Sequence, residues 1–185
     1  ALTGAGADAD NLIGNTSEVL VTGAHLDAGD DLLLDAMSET TSTSAVVSAA
    51  VAAAIGVGAG SNTFGLTFTE SRIGGDDRSH VTRVHAVGAI LEAGDDLRLA
   101  ADTTDTHHVS VAAASVAIAI GIGGSTAVAG IGVEVTNAGT VEAIAKDSTL
   151  DAGGDVTVRA VSETTVDDDV PGVADNTMVG GATLS

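Results

Sequence analysis

The sequence predicts an all-β protein and, within that class, a parallel β-solenoid (β-helix) built from imperfect repeats of 59 to 65 residues. Two observations carry this prediction. A repeat motif of the form Leu-acid-Ala-Gly-x-Asp recurs three times, and apolar residues alternate with small or polar ones. Alternation is the period of a strand, whose successive side chains point to opposite faces. Because the repeat motif recurs in register, stacked coils are favoured over the alternative, an antiparallel β-sandwich. We expect residues 1–185 to form a single solenoid domain.

The three copies of the repeat motif, each with its polar tail, span residues 25–41, 90–106 and 149–165. Their leucines, Leu26, Leu91 and Leu150, are 65 and 59 residues apart. Ala-Gly-Asp-Asp and Ala-Gly-Gly-Asp are typical of turns, because Gly adopts unusual backbone angles and Asp binds nearby backbone amides. Each repeat therefore contains either about three coils of roughly 20 residues or one large coil with long strands. The six extra residues of the first spacing are expected in the polar loop around 74–80, where an insertion points to solvent.

An uncharged run of small and β-branched residues follows the first two copies of the motif, at 45–60 and 109–124. Residues 109 to 133 carry no charge, a length that would span a bilayer as a helix. Gly and β-branched residues are poor helix formers, and Ala, Ser and Thr contribute little to membrane transfer. We therefore expect buried strands here and no membrane insertion. One strand face would stack Val and Ile, while the Ala and Gly face would accept a closely packed sheet.

Composition excludes several classes of partner. Six Lys and Arg against 26 Asp and Glu give a net charge of −20, which disfavours nucleic acid and anionic membranes. Aromatic residues make up 1% of the chain, so recognition of bases or sugars by stacking is not expected. Without cysteine there is no disulfide, thiolate zinc site or cysteine nucleophile. The chain starts at Ala1 with no leader-like segment, so we expect a processed chain or a piece of a longer one.

The motif at 150–160, the Ser-Glu-Thr-Thr tail at 162–165 and the small-residue run at 109–124 together resemble one family. They are similar to the repeat region of giant secreted filamentous adhesins, the filamentous-haemagglutinin-like and leukotoxin-type surface proteins of bacteria. The resemblance spans residues 18 to 166. It implies a parallel β-helix stalk that is exported and displayed outside the cell.

The expected function is therefore structural: a module of a bacterial surface fibre or adhesin stalk, with no catalytic residues and no certain cofactor. Open β-edges template further strands unless they are capped. We expect these edges to join copies of the chain head to tail into a filament, or to join flanking repeats of a longer chain.

Acidic residues in the predicted turns are the candidates for calcium, which takes six to eight oxygen ligands. The calcium-binding pattern Gly-Gly-x-Gly-x-Asp, repeated every nine residues, is absent. Solvated turn carboxylates are therefore the first expectation and calcium is the alternative. The candidates are Asp30, Asp31, Asp76, Asp77, Asp95, Asp96 and Asp155.

The histidines, His25, His80, His85, His107 and His108, are expected at the surface. His107 and His108 should point to opposite faces of a strand, so they cannot chelate one metal together. Asp105 and His107 should share a face, and a zinc site there would need two further ligands from a neighbouring coil.

Two other function classes stay open. Thr-rich tails at 40–43, 103–106 and 164–165 would suit a ligand-binding module, adhesin or ice-binding, but they are irregular and are not expected to pair on successive coils. Asp76, Asp77, Arg78 and His80 share one loop and would suit a carbohydrate-active β-helix enzyme. Proximity in a loop does not by itself orient an acid and a base, so an enzyme is not expected.

Overall fold

A computed structural model describes residues 1–55, 60–120, 124–169 and 174–179, and this part of the chain is built of strands and contains no helix. The prediction of an all-β protein is confirmed. No membrane-spanning helix is found in these ranges. The strands are β1 Leu2–Ile13, β2 Thr16–Thr22, β3 His25–Ala28, β4 Leu32–Ile55, β5 Ser61–Gly74, β6 His80–Val87, β7 Ile90–Ala93, β8 Leu97–Ile120, β9 Ser125–Lys146, β10 Thr149–Ala152, β11 Val156–Asp169 and β12 Ala174–Val179.

The pairings between the described strands are all parallel. Three passes of the chain, β1–β4, β5–β8 and β9–β12, lie side by side. One sheet has the order β1-β5-β9-β6-β2, a second has the order β10-β7-β3, and the third has β8 between β4 and β11, with β12 also on β8. The antiparallel β-sandwich is therefore wrong, because neighbouring strands come from successive passes that run in the same direction.

The copies of the repeat motif lie beside one another in the register that their alignment predicts. Leu26 pairs with Leu91, and Leu91 with Leu150. Strands that are adjacent in space are thus 59 to 65 residues apart in sequence, which excludes coils of about 20 residues. Between β9 and its two partners the offset falls from 64 at Gly74 to 59 at His80, so residues 75–79 form an extra loop. The insertion lies where the sequence predicts it.

An apolar core fills the corner where the three-stranded sheet meets the ends of the two larger sheets. Leu91, Leu97, Leu99 and Val84 are fully buried there, together with alanines. Complete burial of one such side chain contributes about 1.5–3 kcal/mol. Alternation in β6 and β8 directs Val84, Leu97 and Leu99 inward, whereas Arg83, His85 and Arg98 between them are partly exposed.

Beyond this corner, hydroxyl groups line the interior between the two larger sheets. Ser44 Oγ lies 2.5 Å from Thr69 Oγ1, Ser48 hydrogen-bonds Thr67, and Thr103 donates to Thr82 at 2.7 Å. A buried hydroxyl costs free energy unless it is hydrogen-bonded, so these pairs satisfy one another across the interior.

The two layers also approach closely at Gly65 on β5. A Cβ at this position would lie 2.8 Å from the carbonyl oxygen of Ala114 on β8. Only glycine leaves room for a backbone this near, so the small residues of the interior set the thickness of the molecule.

The uncharged runs are buried on one face only, which corrects the expectation of buried strands. Along β4 every second residue from Ala36 to Ala52 is buried. The intervening side chains face outward, and Val47 and Ile55 are 75% and 79% exposed. The Val and Ile face of the run therefore lies on the outside of the molecule.

Candidate functional site

The three copies of the repeat motif meet in a stacked turn between the three-stranded sheet and the β4-β8-β11 sheet. Backbone hydrogen bonds join each pass to the next: Gly94 N donates to Ala28 O at 2.9 Å, and Gly153 N donates to Ala93 O at 3.1 Å. Leu32 N donates to Asp96 O, and Leu97 N donates to Asp155 O, both at 2.9 Å. The ladder therefore continues through the turn without a break.

Aspartate side chains join the same ladder. The carboxylate of Asp31 accepts a hydrogen bond from Asp96 N at 3.1 Å, and the carboxylate of Asp96 accepts one from Asp155 N at 2.8 Å. Each carboxylate thus holds the backbone of the following pass. The recurring Asp of the motif is a structural acceptor for an amide, which is the role that Asp commonly takes in turns.

Glycine is required in the two later turns. A Cβ on Gly94 would lie 2.0 Å from the carbonyl oxygen of Gly29, and one on Gly153 would lie 2.1 Å from that of Gly94. Gly29 itself has nothing within 4 Å of the corresponding position. Glycine is therefore required at this position of the motif because the backbone of the preceding pass leaves no room for a side chain.

The candidate calcium ligands fall into two places. Asp30, Asp31, Asp95, Asp96 and Asp155 lie in the stacked turn, whereas Asp76 and Asp77 lie in the exposed loop 75–79. One carboxylate oxygen of Asp31 and one of Asp96 already accept backbone amides. Within the described ranges, no group of three or more His, Asp or Glu side chains is placed to hold a metal ion.

Sequence reasoning missed a second acidic ladder on the outside of this corner. Asp27, Glu92 and Asp151 lie in register on β3, β7 and β10 and line an open groove of about 510 Å³. His25 Nε2 lies 3.0 Å from Glu92. Like charges in register repel, so the histidine offsets part of this repulsion when it is protonated. The recurring acid after the leucine of each motif was the signal for this ladder.

A polar network inside the molecule corrects the expectation of surface histidines. His80 and His107 are fully buried, whereas His25 and His108 are exposed and His85 is partly exposed. His107 and His108 do point to opposite faces, as predicted. His80 Nε2 lies 3.2 Å from Asp105 Oδ1, and Asn137 donates to Asp105 Oδ2 at 2.8 Å. The buried carboxylate thus accepts a hydrogen bond from Asn137 on β9, while His80 on β6 lies at ion-pair distance without completing a hydrogen bond.

His107 belongs to a second chain of contacts. Its Nδ1 lies 2.8 Å from Ser71 Oγ, which lies 2.7 Å from Ser42 Oγ. Asn11 donates to Ser42 at 2.8 Å. Burial lowers the pKa of His107, and attraction to Asp105 offsets only part of that effect. Because Ser71 and His107 are fully buried, this arrangement joins the two layers and presents no nucleophile to solvent.

The residues required by the enzyme hypothesis do not converge. Asp76, Asp77 and Arg78 are exposed in the loop 75–79, while His80 begins β6 and points into the interior. The acid and the imidazole therefore face different environments.

One threonine column does pair on successive passes, contrary to expectation. Thr41, Thr106 and Thr165 lie in register on β4, β8 and β11. The columns on either side are mixed: one contains Glu39, Thr104 and Glu163, and the other contains Thr43, His108 and Asp167. A flat ligand face of repeated threonines is therefore limited to one column.

No protein-family model, curated protein or solved structure matches this chain. Its class is thus defined by the fold, an all-β protein of parallel sheets in which successive passes are joined by a continuous ladder.

Proposed function

We propose that the chain is a structural module: three turns of a wide parallel β-solenoid with 59–65-residue repeats, from an exported bacterial surface fibre or adhesin stalk. The observation that supports this most directly is the register in which each copy of the repeat motif lies beside its counterpart. The ladder of strands and turns repeats the same contacts from pass to pass, as a rod-like stalk requires. The resemblance to secreted filamentous adhesins supports a location outside the cell.

The same ladder supports head-to-tail growth. Asp31 holds the amide of Asp96, and Asp96 holds the amide of Asp155. Asp155 occupies the equivalent position in the third pass. In a following pass, its carboxylate would accept a hydrogen bond from the backbone amide at that same position of the motif. β11 pairs with β8 on one side and has no described partner on the other. A second copy, or a flanking repeat, would extend this edge by main-chain hydrogen bonds.

Ion pairs across adjacent passes support a role in registration. Arg72 lies 3.1 Å from Asp10, Arg83 lies 2.8 Å from Glu18, and Arg98 lies 3.3 Å from Asp35. Each pair joins one pass to the next at an exposed position. Pairs of this kind contribute about 0–1 kcal/mol, so their value lies in disfavouring a slipped register more than in stability.

Electron microscopy of the purified chain at physiological salt tests the proposal. Leu97 N donates to Asp155 O, so in a parallel ladder the N–H of Thr157 returns to β8 and, by alternation, that of Val158 points to the free edge. Proline has no N–H, so Val158→Pro blocks growth at this edge without removing an internal hydrogen bond.

We expect filaments from the wild type and from the matched control Val158→Ala, which keeps the N–H, and short particles from Val158→Pro. Short particles from all three at every protein concentration would contradict self-assembly, and the edges would then belong to flanking repeats. Identical filaments from all three would show that growth does not use this edge.

A further inference from the structure

Strand β5 has an inverted distribution of side chains. Phe64, Leu66 and Phe68 face outward and are about half exposed, with Phe68 at 57%. Thr63 and Thr67 face inward and are fully buried. The only two phenylalanines of the chain, which has no Tyr or Trp, thus lie on its surface. Large apolar side chains are ordinarily buried, so an outward row of them indicates a face that another surface covers.

Two long uncharged segments of the chain supply most of the surroundings of this row. No Asp, Glu, Lys, Arg or His occurs from residue 40 to residue 69 or from 109 to 133. These segments pair with each other in both large sheets and meet across the interior, where Ser48 contacts Thr67. Asp8 on β1 lies in register with Phe68, where Glu70 and Glu134 line the same groove. Phe64 and Leu66 lie beside uncharged residues on both neighbouring strands, so covering these two side chains removes no ion from water, and the carboxylate of Asp8 stays hydrated at the rim.

The outer face of β1, β5 and β9 contains both a ridge and a trough. The ridge is Phe64, Leu66 and Phe68. Phe68 and Leu66 lean over Gly132 and Gly130 on β9, since a Cβ there would lie 2.5 and 3.0 Å from their side chains. The β1 side is open: Gly4 and Gly6 lie in register with Phe64 and Leu66, and a Cβ on either would meet only a backbone oxygen at 3.8 Å.

We propose that this face is a lateral docking site for a second copy of the chain. A two-fold axis that runs parallel to the strands, above the surface between β1 and β5, places Phe64 and Leu66 of each copy on Gly4 and Gly6 of the other. Such a contact is isologous and closes as a pair. The ridge and the trough both lie on one chain, so the surface is complementary to itself, which singles out a second copy as the occupant.

The size of the face sets the strength of the pairing. Nine residues of strand by three strands cover about 30 Å by 14 Å, or about 400 Å² per copy. Two copies would bury about 800 Å², below the roughly 1,200 Å² of stable pairs, so a free subunit should pair weakly and reversibly. In a fibre the contacts of many passes act together, and this last step rests on the proposed head-to-tail growth.

Sedimentation equilibrium tests the pairing, with Val158→Pro as the starting chain so that edge growth does not contribute. We expect a monomer–dimer equilibrium with a dissociation constant above about 10 µM. Phe64→Asp should weaken it at least tenfold, since it places charge in the ridge. Met37→Glu changes an outward residue of β4, 73% exposed, that lies outside the two uncharged segments, and should change the constant less than about twofold.

Gly6→Leu separates shape from hydrophobicity. It fills the trough while adding apolar surface, and its own chain has room for the side chain. We expect pairing to weaken at least tenfold, because the leucine prevents the ridge of the partner copy from packing into the trough. Stronger pairing would overturn the proposal, because association would then depend on exposed apolar area and not on the fit between ridge and trough. A starting chain that stays monomeric up to about 1 mM, or that instead floats with phosphatidylcholine vesicles, would also overturn it. Filament formation by the wild type is scored separately, so the two proposals fail independently.

Discussion

Replacing Gly94 with alanine tests the stacked turn at its closest approach. The new Cβ would lie 2.0 Å from the carbonyl oxygen of Gly29, so the two passes must separate by about 1 Å. Three cross-pass hydrogen bonds depend on this spacing: Gly94 N to Ala28 O, Asp95 N to Asp30 O, and Asp96 N to the carboxylate of Asp31. At about 0.5–1.5 kcal/mol each, their weakening predicts a loss of about 2–4 kcal/mol in the free energy of unfolding.

The matched control is Gly29→Ala, the same position of the repeat motif one pass earlier. Nothing lies within 4 Å of a Cβ there, and the φ angle is not positive, so we expect a change within about 0.5–1 kcal/mol, which can even be stabilising. Urea unfolding followed by far-UV circular dichroism is the assay, because the chain has no Trp or Tyr to report by fluorescence. Equal midpoints for the two variants at equal m-values would refute the close approach of the passes.

Three further outcomes follow from the interior and the turn. Leu99→Ala should lower the free energy of unfolding by about 2–5 kcal/mol, whereas Met37→Ala, at an exposed position, should change it by less than about 0.5 kcal/mol; similar losses would place Leu99 outside the core. Because burial lowers the pKa of His107, the unfolded chain takes up the proton first, so stability should fall as the pH drops below about 6.5; unfolding midpoints should show that His107→Gln removes this component and that His108→Gln keeps it. Since Asp31 and Asp96 already accept amides, a chelator should leave the melting temperature within about 1 °C, and a fall of several degrees would restore calcium binding.

The register could be predicted from the sequence because the repeat motif carries the same turn chemistry each time it recurs. Leu26, Leu91 and Leu150 pair as their alignment requires, and the loop 75–79 lies where the spacing changes. Alternation also predicted that His107 and His108 face opposite sides. These features depend on short sequence patterns, which can be recognised without knowing how the strands pack against each other.

Which face of each strand points inward could not be predicted in the same way. Alternation is symmetric between the faces, and hydrophobicity would have placed Phe64 and Phe68 inside and Thr67 outside. The buried histidines were missed for a related reason. His80 contacts Asp105, 25 residues away in the sequence, and His107 contacts Ser71, 36 residues away. These contacts form only when the two layers pack against each other, so no local pattern reveals them.

The hydroxyl-lined interior also has a thermal consequence. Exposing apolar surface on unfolding raises the heat capacity, while exposing polar surface lowers it. An interior in which Ser42, Ser44, Ser48 and Thr67 replace aliphatic side chains should therefore unfold with a heat-capacity increment below the usual value of about 12–15 cal/mol/K per residue. The stability curve then becomes broad and shallow in temperature, and the free energy of unfolding of this protein should change little between cold and warm conditions.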